Sequence, residues 1–130
     1  MAAENVTRFN GQVLRAIAVL YESHPVRNRL SLEDLASSAE FNATTNNDME
    51  FAAGTLKWLN DNGYVSGEFL PAAGELDDVQ LTAYAWRVLQ SAEPNSSVQP
   101  LGEAVKQAAA EGGRNFEVVA DLLVRRLSGG

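Results

Sequence analysis

Glu68, Glu75, Asp77 and Asp78 stand in one stretch, Tyr64 to Thr82, that holds no lysine or arginine. Carboxylates so placed could bind a hard cation, but that use demands a spacing. A calcium loop offers a ligand at roughly every second residue around a central glycine. Glu75, Asp77 and Asp78 lie instead in a strand-like run without that turn, so no metal is expected. His24 is the single histidine and precedes Pro25, which reads as a surface or cap residue rather than a base. No histidine–acid cluster has metal-ligand spacing, and no glycine-rich loop has the phosphate-cradling or dinucleotide pattern. With no cysteine, thiolate ligands, cysteine nucleophiles and disulfides are excluded together. The sequence therefore predicts a protein that is not an enzyme and carries no cofactor.

The groups suited to nucleic acid are Arg27, Arg29 and Lys57, for phosphates, and Thr44, Thr45, Asn46 and Asn47, for bases or phosphates. The same Thr/Asn cluster is also ordinary turn and cap chemistry. Net charge weighs on this choice. The chain carries −7 at neutral pH, of which −6 falls in residues 1–90 and −1 in residues 91–130. That sign opposes loose attraction to nucleic acid or to anionic membranes.

The 130 residues suit one domain with a real core, and 45% hydrophobic against 21% charged residues is an ordinary globular balance. The start lacks a basic region followed by an apolar one, and no apolar run approaches the roughly 18 residues of a membrane span. A soluble, cytoplasmic protein without membrane contact is expected. The Asn-x-Ser/Thr triplets at Asn5, Asn42 and Asn95 then read as chance.

Periodicity supplies the elements. Val13, Leu14, Ile17, Ala18, Leu20 and Tyr21 predict a helix from Asn10 to Ser23, stopped by Pro25. Residues 26–30 form a connector or brief edge strand. Ser31 opens a short second helix ending near Glu40, with Leu32, Leu35, Ala36 and Ala39 inward. Thr45 or Asn47 caps a third, with Met49, Ala52, Leu56 and Leu59 inward, and Asn62-Gly63 ends it. Its outward stripe is Asn47, Glu50, Gly54, Lys57 and Asp61. Alternating Val65/Phe69 and Val79/Leu81 around a Pro/Gly loop predict a hairpin, and Thr82 caps a fourth helix. A Pro/Ser-rich linker over 93–100 precedes two more helices, divided at Gly112-Gly113.

This order resembles the winged helix-turn-helix superfamily. The resemblance rests on Leu32-Glu-Asp-Leu-Ala36, Thr55-Leu-Lys-Trp-Leu-Asn-Asp-Asn-Gly-Tyr-Val65 and Val79-Gln-Leu-Thr-Ala83, and covers about residues 10–92. It implies a mainly α fold with a small antiparallel β-hairpin: a winged-helix domain over 10–92 and a two-helix extension over 101–128. It also implies that the third helix would read DNA in the major groove through Arg, Lys, Asn or Gln. The outward stripe offers one base against two acids, and the wing would repel phosphate.

Protein contacts are the other use. A glycine inside a helix costs about 1 kcal/mol against alanine, so Gly54 asks for a packing reason, internal or in a partner. The stripe Phe116, Val119, Ala120, Leu123 and Leu127 must be covered, by the first helix or by its copy in a homodimer. The leading expectation is a regulatory or adaptor module acting through protein contacts, self-association included, with Gly54, Phe116, Val119, Leu123 and Leu127 at the interface. The alternative is a DNA-binding transcriptional regulator.

Overall fold

The computed structural model describes residues 4–36, 46–70, 74–91 and 99–129. Its elements run α1 (Glu4–Ser23), β1 (Asn28–Ser31), α2 (Leu32–Ala36), α3 (Asn46–Asp61), β2 (Val65–Leu70), β3 (Glu75–Leu81), α4 (Ala83–Gln90), α5 (Leu101–Glu111) and α6 (Gly113–Leu127). The three strands form an antiparallel sheet in the order β1-β3-β2. The fold is thus mainly α with a small sheet, in which the predicted hairpin gains β1 as a third strand.

The core forms around α1. Val13, Leu14, Ile17 and Leu20 are fully or almost fully buried, and α1 packs against α3, α5 and α6. It begins at Glu4, six residues before the expected Asn10. Val6 and Phe9 continue the apolar spacing backwards from Val13. Phe9 meets Trp58 edge-on at 4.9 Å, and Arg8 pairs with Asp48 at 2.7 Å. These contacts hold the extra turns of α1 against α3.

The junction between α3 and α4 is fixed by few atoms. Gly63 takes φ +76°, the left-handed stop after α3. The Thr82 hydroxyl accepts from the Ala85 N–H at 3.3 Å as the N-cap of α4 and donates to the Gly63 carbonyl at 2.6 Å. One side chain therefore sets the start of α4 and ties it to the end of α3.

The C-terminal pair is folded onto the rest of the chain. Leu101 N–H donates to the Ser91 carbonyl at 2.7 Å, so the start of α5 lies beside the end of α4. Residues 93–98 of the expected linker lie outside the described residues. Gly112 and Gly113, with φ +67° and +70°, reverse the chain between α5 and α6. Two consecutive left-handed residues favour glycine at both positions. The sixth helix consequently starts at Gly113, three residues before Phe116.

Candidate functional site

Two of the four wing acids, Glu75 and Asp78, have structural work. One residue of β1, Arg29, faces two of β3, Asp77 and Asp78, since Asn28 pairs with Val79 and Leu30 with Leu76. The same slip recurs against β2, between Ser66 and Glu68. The extra residue belongs to β3, where Asp78 adopts φ +51°, a bulge of the kind that bends and twists an edge. Aspartate tolerates this backbone better than most residues. Gly67 is the matching space on β2, because a Cβ there would lie 2.8 Å from Val79 Cβ.

The bulge captures the bases expected to meet phosphate. Arg27 donates from Nη1 to the Asp78 carbonyl at 2.9 Å and lies 3.6 Å from its carboxylate. Arg29 Nη1 is 3.8 Å from Glu75 Oε1. These exposed pairs contribute little stability, yet they neutralise both arginines locally. Lys57 is exposed on α3, which packs against β2, whereas β1 lies at the far edge of the sheet beyond β3. Arg27 and Arg29 therefore lie together at β1, and Lys57 belongs to a separate element. Thr44 and Thr45 lie outside the described residues, Asn46 opens α3, and Asn47 is exposed on its first turn.

The outward stripe of α3 is as its spacing predicts. Asn47, Glu50, Gly54, Lys57 and Asp61 are all exposed, and from Asn47 onward no other α3 residue is. A Cβ added at Gly54 would meet nothing within 4 Å among the described residues. Beside it lies a hollow of about 380 Å³ lined by Val6, Phe9, Phe51, Thr55 and Trp58, together with Asn5, Glu50 and Gly54. Val6 stays 43% exposed at its rim. Arg8 stacks over Phe51 at 4.9 Å, fixing one wall. The walls from α1 were not foreseen, although Val6, Phe9 and Val13 carry the helical spacing that would reveal them.

The C-terminal stripe requires a correction. Val119, Leu123 and Leu127 are 7%, 0% and 1% exposed, buried in the chain's own core, where α6 packs on α1 and α5. They offer no surface to a second molecule in this fold. Phe116 is half-buried over α1, its ring 3.1 Å from where a Cβ on Gly11 would stand and 5.2 Å below the Arg15 guanidinium. Gly11 makes room for Phe116, as Gly102 on α5 makes room for the ring of Tyr21. Tyr21 then donates to Glu103 Oε2 at 2.7 Å, and burial followed by that carboxylate pushes its phenol up to about 12.

A second groove, of about 460 Å³, lies between α1, β1, α2 and α5. Its rim mixes Arg15, Arg29 and Lys106 with Glu22 and Asp34, charges of both signs that select no one ligand. The His24 ring stacks 4.0 Å from that of Trp86. Among the described residues, no group of three or more His, Asp or Glu is placed to hold a metal ion. No helix among them is long and apolar enough to cross a membrane.

No protein-family model, no curated protein and no solved structure matches this chain. The hollow beside Gly54 is thus defined by its own geometry: an aromatic-lined recess on a helix face of mixed charge.

Proposed function

We propose that this chain is a non-enzymatic winged-helix module, cytoplasmic in setting, that regulates or adapts through protein contacts and associates with itself. The order α1-β1-α2-α3-β2-β3-α4 and the strand order β1-β3-β2 support the winged-helix reading. The observation that carries the protein-contact reading is the face of α3. In a DNA reader this helix presents bases and amides to the groove. Here it presents one amide and one base, Asn47 and Lys57, against two acids, Glu50 and Asp61, around a bare glycine and next to an apolar hollow. Arg27 and Arg29 support the same reading, since a phosphate would have to compete with Asp78 and Glu75 for them.

The test is a low-salt titration of the purified protein with random duplex DNA, alongside its solution mass in the same buffer. No DNA shift, with a mass above the monomer, is the expected result. Binding that weakens steeply with salt would replace this reading with that of a DNA-binding regulator, for which Lys57→Glu should abolish binding.

A further inference from the structure

We infer that the outward face of α3 joins two copies of this chain, antiparallel about a two-fold axis at Gly54. The inference rests on the protein-contact reading above and supplies its partner. Around Gly54 the exposed residues are Asn47 and Glu50, seven and four positions before it, and Lys57 and Asp61, three and seven after it. An antiparallel copy inverts this order. Glu50 of one copy then stands opposite Lys57 of the other, and Asn47 opposite Asp61, each pair formed twice. In such an isologous contact, residue i meets j and j meets i, so a stripe of mixed charge becomes its own complement. A parallel copy would set Glu50 beside Glu50 and Lys57 beside Lys57, which repels.

The dimensions agree. At about 1.5 Å rise per residue, Glu50 lies about 6 Å and Lys57 about 4.5 Å along the axis from Gly54, a mismatch within reach of both side chains. Inside one chain the two are about 10 Å apart along the helix, too far to pair with each other. Among the described residues nothing stands above Gly54, which has no Cβ, so two backbones can approach closely at the axis.

The apolar hollow lies on the α1 side of the stripe, and the two-fold axis passes out along that side. The two hollows therefore face one another, with Phe51 of one copy opposite Trp58 of the other. Apolar burial there supplies the attraction, while the exposed charge pairs set register and orientation. A contact built on one helix face falls at the weak end of specific interfaces.

Charge reversal tests this. The solution masses of wild type, Glu50→Lys, Lys57→Glu and the double variant are measured up to roughly 100 µM, a range suited to weak dimers. Each single reversal sets two like-charge pairs against each other and should weaken the dimer about tenfold, and the double variant should restore it. Both side chains are exposed, so far-ultraviolet circular dichroism should report an unchanged fold in all four. A monomeric wild type over that range overturns the inference. A dimer indifferent to the reversals overturns this interface but leaves self-association standing, whereas DNA binding would instead remove the protein-contact reading itself.

Discussion

Two helix seams in this molecule meet glycine in opposite ways. Where α1 meets α5 and α6, Gly11 and Gly102 lie beneath the rings of Phe116 and Tyr21, so each missing Cβ is filled by the chain itself. Beside the seam of α1 with α3, Gly54 has nothing above it among the described residues and an aromatic-lined hollow at its side. The first seam is complete within the chain. The second leaves its glycine uncovered by the described residues, and the difference separates a glycine that makes room for internal packing from one that does not.

The strongest way to break the comparison is at the centre of the complete seam. Leu123 is fully buried between α6 and its neighbours, so Leu123→Ala should lower unfolding stability by about 2–5 kcal/mol through lost burial and a residual cavity. Denaturant titration reads this directly. A variant that kept its stability while losing dimer mass would return the α6 stripe to the role of an interface. Gly102→Ala should come next. Its Cβ would overlap the Tyr21 ring, which is held by Trp86 stacking and by Glu103. Overpacking of this kind costs about 1–3 kcal/mol, partly offset by the higher helix propensity of alanine. Crystallography or the near-ultraviolet aromatic signal should show the ring displaced.

The elements themselves were largely legible. Apolar spacing marks six helices and two strands, Gly63 marks the end of α3 and Thr82 the start of α4, and the outward stripe of α3 is legible residue by residue. What the sequence left open depends on contacts distant along the chain. The start of α1 needed Trp58 and Asp48 to be known as neighbours of Phe9 and Arg8. The β3 bulge needed the register with two strands, and until Asp78 was seen to capture Arg27 the wing acids resembled an unused charge cluster. The α6 stripe satisfied both of its alternatives on spacing alone. Only the tertiary arrangement showed that α1 covers it.

The open seam gives an effect of opposite sign. Gly54→Ala adds a Cβ that meets none of the described residues within 4 Å, and should raise the stability of the dilute monomer by about 0.5–1 kcal/mol through helix propensity and a less flexible unfolded chain. The same methyl would separate two backbones meeting at Gly54, so the dimer should weaken as the monomer is stabilised. Thermal unfolding at low concentration and mass at high concentration read the two effects separately. A loss of monomer stability would show that Gly54 has an internal partner, and the contrast between the seams would disappear.

The smallest expected effect concerns the polar contact within the complete seam. Tyr21 holds its proton more tightly in the folded chain than in an ordinary phenol, with the value raised from 10.0 to about 12 by burial and by Glu103. A group whose folded pKa is raised stabilises the fold fully below its unfolded value and loses that contribution as pH climbs toward the folded one. Wild type should therefore lose stability between about pH 10 and about pH 12 relative to Tyr21→Phe, which has no proton to release. At neutral pH the variant should lose only the hydrogen bond to Glu103 and keep the ring packed on Gly102 and Trp86. Denaturant midpoints of both proteins at about pH 8 and about pH 11 test this. If the gap between them is the same at the two pH values, Tyr21 does not release its proton against Glu103, and the seam is held by packing alone.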